Sequence, residues 1–129
     1  MRSIVRILCV IGLFATGSMA QDAVKTDPNH YKVEFENENV RVLRIKYGPH
    51  EKSVMHSHPG GIVIALTDVT GKFTMPDGST QNNAYKAGQV AEAPGGTHLP
   101  ENTADQPFEL ILIEMKSKPK KKSAMPRKT

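Results

Sequence analysis

The chain carries five histidines, and two of them, His56 and His58, stand two residues apart around Ser57. On a β-strand that spacing turns both side chains to one face, about 6.6 to 6.8 Å apart along it. Two imidazoles can then converge on one ion. A third ligand must come from elsewhere in the chain, and His98 follows Pro94-Gly95-Gly96-Thr97, a turn whose glycines allow backbone to approach closely. Near pH 7 most imidazole is neutral and offers a lone pair, so three together can bind a divalent transition metal, Zn, Fe, Mn, Ni or Cu. An isolated H-x-H also occurs as an exposed pair on a loop or edge strand, so its surroundings decide its meaning. His50 reads as an exposed loop residue, and His30, beside Pro28 and Asn29, precedes the first strand.

Other chemistry finds little support. The sequence has no G-x-S-x-G, no P-loop and no dinucleotide fingerprint, and Ser57 lacks an evident Asp partner. Met55 and Met75 read as packing, because isolated Met is far more often filler than ligand. Glu51, Glu92 and Glu101 are the acids nearest the histidines in sequence, and each reads as a surface charge.

The elements that must position these histidines are short strands. Tyr31 to Phe35 alternates apolar and polar residues; Val40 to Tyr47 starts in one phase with Val40 and Val42, then shifts to Leu43, Ile45 and Tyr47, which predicts a β-bulge there. Further strands are expected at Ser53 to His58, Ile62 to Thr67, Lys72 to Met75, Gln81 to Lys86, Gln89 to Ala93, Thr97 to Asn102 and Phe108 to Met115. Glu36-Asn37-Glu38-Asn39, Pro76-Asp77-Gly78-Ser79 and Pro94-Gly95-Gly96 punctuate them as turns. No stretch shows an apolar stripe at helical spacing, so the expected class is all-β, a sandwich or barrel.

The 129 residues leave room for one domain, and the formal charge of +4 averages three unlike segments. Residues 1–20 have Arg2 and Arg6 in a basic head, an apolar run from Ile7 to Ala15 and small residues Ser18 and Ala20, the pattern of a secretory signal peptide. The run is too short to span a membrane. Its Cys9 is the one cysteine in the sequence and would leave with the signal. Export implies a periplasmic or secreted protein. Residues 117–129 form a basic tail that cannot bury enough surface to order itself; from Lys116 onward it holds seven Lys/Arg and no acid. The domain between, residues 21–116, is acidic: up to Met115 it has eight Lys/Arg against thirteen Asp/Glu. A nucleic-acid reader would carry its positive charge on the folded face, so nucleic acid is not expected as the main partner. The tail reads first as a solubilising segment without a partner, and second as a weak contact with an anionic envelope surface.

With the histidines placed on strands, the sequence resembles the cupin superfamily. Gly88, the five residues Gln89 to Ala93, then Pro94-Gly95-Gly96 and His98-Leu99-Pro100-Glu101-Asn102 follow that superfamily's second motif, G-x5-P-x-G-x2-H-x3-N, with the histidine one residue early. His56 and His58 fit the H-x-H of the first motif, G-x5-H-x-H-x3/4-E-x6-G. There the leading Gly is His50, the acidic position falls on Ile62 or Val63, and the trailing Gly is Gly71. The resemblance spans Tyr31 to Met115 and implies a double-stranded β-helix, or jelly-roll barrel. It also implies a metal inside the barrel on His56, His58 and His98. Without the acid, three neutral imidazoles leave the ion's charge uncompensated and keep a coordination position open.

Two functions are consistent with this reading. One is an exported metal-dependent cupin that acts on a small molecule, as an oxygenase or isomerase. The other is a non-catalytic module that holds a small ligand or a metal in the cell envelope, favoured by the lack of an obvious general base. Homodimerisation follows from the resemblance alone.

Overall fold

The computed structural model describes residues 21–117. The expected signal peptide of residues 1–20, with Cys9, and the expected tail beyond Ser117 lie outside the described residues. A four-residue helix, α1 (Ala23–Thr26), precedes nine strands: β1 (Tyr31–Glu36), β2 (Val40–Tyr47), β3 (His56–His58), β4 (Gly61–Ala65), β5 (Val69–Thr74), β6 (Thr80–Tyr85), β7 (Val90–Ala93), β8 (Gly96–Asn102) and β9 (Phe108–Met115). Every stretch expected to be a strand forms one. The helix was not expected. It is one turn long, too short to leave a periodic stripe, and is held by its cap: the Asp22 carboxylate accepts from Val24 N and Lys25 N at 3.0 and 3.2 Å.

Pairing is antiparallel between the named strands, in a five-stranded sheet ordered β1-β2-β9-β4-β7 and a four-stranded sheet ordered β3-β8-β5-β6. The order requires crossovers, as a jelly roll does. Leu43, Ile45 and Tyr47 of β2, Val63 and Ala65 of β4, Val69 of β5 and Phe108 and Leu112 of β9 are buried and form the core with Ala23, Tyr31 and Ala93. Burial of these apolar surfaces, at roughly 25 cal/mol per Å², is what holds the two sheets face to face.

The bulge sits elsewhere than the apolar pattern suggests. β2 runs in unbroken register against β9 from Val40 opposite Met115 to Tyr47 opposite Phe108. The register slips instead in β1, between Val33 and Phe35. The pattern misleads because Arg41, not an apolar residue, holds the inward position before Leu43. Its Nε donates to Glu114 at 2.6 Å and its Nη2 to Asp22 at 2.5 Å, and Glu114 is 1% exposed. Val40 and Val42 therefore face outward. There Phe35, Val42, Ile113 and Ile62 lie side by side across four strands, and Ile111, Ile64 and Val90 make a second such row.

Candidate functional site

The register of one strand pair brings the three histidines together. In the β3–β8 ladder His56 lies directly opposite His98, Ser57 opposite Thr97 and His58 opposite Gly96. Ring centroids are 5.3 Å apart for His56 and His98, 4.8 Å for His58 and His98, and 6.3 Å for His56 and His58. Glycine makes the approach feasible. A Cβ on Gly95 would lie 2.6 Å from Gly60 N and 3.2 Å from the His58 carbonyl oxygen, so only glycine lets the turn after β7 cross behind the ligand strand.

Local hydrogen bonds assign the tautomers. His56 Nδ1 donates to the Val54 carbonyl at 2.9 Å, and His58 Nδ1 donates to the Pro59 carbonyl at 2.9 Å. Both rings therefore keep a lone pair on Nε2. His58 Nε2 lies 3.2 Å from His98 Nε2. His56 Nε2 is buried and has no partner at all, an omission that costs about 1 to 3 kcal/mol in an apolar setting. His56 is wedged edge-on against Tyr31 at 4.9 Å, while His98 stacks on Phe73 at 4.2 Å.

The fit to an ion can be tested on these numbers. Metal–nitrogen bonds of about 2.0 to 2.1 Å place two ligating nitrogens roughly 2.9 to 3.4 Å apart and their ring centroids roughly 4.5 to 5.3 Å apart. The His58–His98 nitrogen separation of 3.2 Å and two of the three centroid separations, 4.8 and 5.3 Å, fall in that range. The His56–His58 separation of 6.3 Å exceeds it by about 1 Å. Consistently, among the described residues no three His, Cys, Asp or Glu side chains are drawn into a closed ligand set. As they stand, two of the three pairs match the spacing of an ion's ligands and the His56–His58 pair does not. Burial, reinforced by its histidine neighbours, pushes the His98 imidazole down to about 3, and burial also lowers that of His56. Both rings are thus held in the neutral form that a metal needs.

The site opens on a cavity of about 420 Å³ between the two sheets. His58 and His98 stand on its wall, and His56 lies behind it, 1% exposed. The lining is mostly apolar and aromatic, with Tyr31, Tyr47, Phe73 and Phe108, and contains no Lys or Arg. The Tyr31 and Tyr47 hydroxyls bond each other at 2.8 Å, and burial raises both above the usual tyrosine range. A second, more open recess of about 380 Å³ lies on the other side of Tyr47. Its charged groups are paired with one another, His30 with Glu51 at 2.8 Å and Lys46 with Glu109 at 3.5 Å.

The missing acid has a clear position. Of the two candidates, Ile62 is 41% exposed on the outer face, whereas Val63 is 6% exposed and lines the cavity. Of the two positions on which the resemblance places the acid, Val63 is therefore the inward one. None of the neighbouring acids replaces it: Glu51 is held by His30 and Gly48 N, Glu101 pairs with Lys72 at 3.2 Å, and Glu92 is exposed. His50, at φ 58°, bonds Asp105 in an exposed loop, away from the histidine triangle. Sequence reasoning missed Asp27 and Ser53, both 8% exposed, whose side chains approach His56 from behind. The Asp27-Pro28-Asn29 turn just before the first strand was the available signal.

No protein-family model matches the chain, and no curated protein does. Solved structures do. A cupin domain from Bordetella pertussis Tohama I is 25% identical with a TM-score of 0.62, the match covering 67% of this chain and 92% of that one. An uncharacterised conserved protein with a double-stranded β-helix domain from Klebsiella pneumoniae subsp. pneumoniae MGH 78578 is 22% identical with a TM-score of 0.52, covering 66% and 74%. The polyketide cyclase RemF from Streptomyces resistomycificus is 12% identical with a TM-score of 0.51, covering 66% and 63%. The fold is therefore the double-stranded β-helix of the cupins, as the motif resemblance implied.

Proposed function

We propose that the protein is an exported cupin-type barrel that binds one divalent transition ion through His56, His58 and His98 and a small molecule beside it. The observation that carries this reading is the lone pair on His56 Nε2, buried without a partner beside the His58–His98 pair. Such an ion, when bound, supplies a Lewis acid that polarises an oxygen of the ligand. The chain's own part is to hold three neutral imidazoles, to shed water from an aromatic wall and to present the paired Tyr31 and Tyr47 hydroxyls. The cavity lining is mostly apolar and aromatic, with Glu92 and Glu101 among its few charged groups, and suits a ring-bearing or apolar molecule. Residues 1–20 as a signal peptide make the periplasm or the exterior its location, and the basic tail from residue 117 a weak tether to anionic envelope surfaces.

The test is elemental analysis of the purified protein after reconstitution with Mn, Fe, Ni, Cu and Zn salts, beside a His56→Ala/His58→Ala variant. About one ion per chain in the wild type and under a tenth of that in the variant is the expected result. Absence of metal from the wild type under every salt overturns the reading. A non-catalytic binding module is the second reading. It is favoured by Val63 at the acid position and by the pairing of Glu51 with His30 and of Glu101 with Lys72, which leaves Glu92 as the cavity's one acid without an ion-pair partner among the described residues. Turnover of phenolic or keto-acid substrates, followed by oxygen consumption and product analysis, separates the two.

The outer face of the five-stranded sheet supports pairing with a second copy. Phe35, Ile62, Val90 and Met115 are 54, 41, 62 and 51% exposed on it. They leave roughly 400 Å² of apolar surface uncovered, the scale of patch that marks a contact site, before the half-buried Val42, Ile64, Ile111 and Ile113 between them are added. Of the charges on this face, Arg44 is neutralised within the chain by Glu34 and Glu109, while Glu92, opposite Ile62, and Lys32, opposite Arg44, stay exposed.

A further inference from the structure

Behind the histidine triangle lies a buried carboxylate that the ligand set does not use. Asp27 caps the C-terminal end of α1, its N–H bonded to the Ala23 carbonyl at 2.8 Å, and is 8% exposed. Its Oδ2 accepts from Ser53 Oγ at 2.5 Å and from His30 Nδ1 at 2.7 Å. Ser53 is fixed in turn by its backbone N–H, which donates to the Pro100 carbonyl on β8 at 2.9 Å. Because the Ser53 hydroxyl donates to Asp27, its oxygen faces outward as an acceptor. His56 Nδ1 lies 3.5 Å from it, as a second and longer acceptor beside the Val54 carbonyl. The hydrogens thus run one way, from His56 Nδ1–H to Ser53 and from Ser53 to the Asp27 carboxylate.

The opposite side of Asp27 is equally constrained. His30 bridges Asp27 and Glu51, with its Nε2 2.8 Å from Glu51 Oε2, and its ring stacks on Tyr47 at 4.2 Å with an interplanar angle of 9°. Even with His30 fully protonated, two carboxylates face one cation, so the cluster keeps a net negative charge next to His56. Burial pushes the Asp27 carboxyl up, but the hydrogen bonds from Ser53 and His30 outweigh it and hold the group below the usual carboxylate range. The nearby segment is also pinned to the ligand strand: Ser57 N donates to the Gln21 carbonyl at 2.7 Å, and Asp22 bridges to Ser57 and pairs with Arg41. The edge strand β3 is only three residues long, so these contacts are what hold its free side.

We propose that Asp27 is a positioning residue for His56: acting through Ser53, it reinforces the tautomer set by the Val54 carbonyl, with Nε2 free, and supplies, one step behind the ligand, the negative charge that Val63 withholds from the site. This rests on the three-histidine metal reading. A partner that accepts from the distal nitrogen raises a histidine's basicity and locks its ring, and loss of such a partner weakens metal binding about 10- to 100-fold. Ser53→Ala should therefore weaken the site as Asp27→Asn does, although Ser53 touches no metal.

The experiment titrates the metal-free full chain with Zn(II) and Co(II) against a chromogenic competing chelator. Wild type, Asp27→Asn, Ser53→Ala, Ser53→Thr and His98→Ala are compared at one temperature well below their melting points. Asp27→Asn and Ser53→Ala should bind 10- to 100-fold more weakly, and Ser53→Thr should return to within a few-fold of wild type. A purely structural role would lower the melting temperature and leave the affinity of the folded chain unchanged. Should Asp27→Asn fail to fold, Ser53→Ala decides alone. Wild-type affinity in Ser53→Ala, with binding lost in His98→Ala, overturns the proposal and leaves the metal reading standing. No binding by the wild type overturns both.

Discussion

His58 and His98 present Nε2 to Nε2 at 3.2 Å, across a strand ladder in which neither sits opposite the other. His98 faces His56 in register, and His58 reaches it from two residues along β3. Because His58 donates through Nδ1 to Pro59, its Nε2 can only accept. Two arrangements satisfy the pair: a proton on His98 Nε2, or an ion between the two nitrogens. The first leaves His56 Nε2 still without a partner; the second engages all three rings. That difference is the basis of the metal site proposed above.

Val63→Glu restores a carboxylate to the inward position on β4, against Leu112 and Ala91. In metal-free protein the buried, unpaired acid should cost several kcal/mol or titrate upward. With an ion present the cost is offset by a fourth ligand. The expected outcome is a lower melting temperature than wild type without metal, and a larger upward shift on adding equimolar Mn(II) or Zn(II). Differential scanning calorimetry of both proteins, with and without metal, measures it. A metal-induced shift no larger than wild type's would place the ion away from Val63.

Much of this architecture was legible in the sequence, because alternation and turn residues report local geometry directly. The nine strands, the H-x-H face and His98 were read from such signals. What was not legible depends on long-range pairing. Nothing local reveals that Arg41 points inward, since Glu114, seventy-three residues later, and Asp22, nineteen residues earlier, are what make that position tolerable. The apolar phase at Val40 and Val42 was therefore read as a bulge rather than as an apolar outer face. Ile62 and Val63 could not be told apart until the register of β4 against β9 chose which one faces in. Asp27 lies on a turn, where spacing carries no information about what its side chain reaches.

Acid should destabilise the metal-stripped protein well before carboxylates titrate. Burial, with the neighbouring histidines, pushes His98 down to about 3, and burial lowers His56. The ordinary histidine value near 6.5 applies in the unfolded chain, so that state takes up protons first as pH falls. The contribution is fully present above about pH 6.5 and is lost progressively toward pH 3, at up to about 1.4 kcal/mol per unit for one such group. Urea midpoints at pH 7.5, 6.0 and 4.5 should fall in that order. His98→Gln should flatten the trend, and an unchanged slope in that variant would assign the acid sensitivity to other groups.

Arg41 and Glu114 test whether a buried ion pair holds β2 to β9. Glu114 is 1% exposed and its Oε1 has no partner, so removing the guanidinium strands a buried carboxylate. Arg41→Met should cost about 3 to 5 kcal/mol, and Arg41→Met/Glu114→Leu distinctly less than the two single changes combined. Urea denaturation of the four proteins completes the cycle. Additive losses would mean that Glu114 is solvated in solution and the pair contributes nothing of its own.

A second copy on the outer face of the five-stranded sheet makes a prediction independent of the metal. Ile62 and Val90 lie in two adjacent apolar rows, opposite Ile113 and beside Ile64, and neither touches the cavity. Under a twofold axis each patch meets itself, so one introduced charge is buried twice and repels its own copy. Ile62→Lys or Val90→Glu should convert a dimer to a monomer by light scattering at micromolar concentration. Metal stoichiometry per chain should stay unchanged, because Ile62 points away from its neighbour Val63. A wild-type chain that is monomeric at high micromolar concentration would refute the pairing and leave that face for another partner.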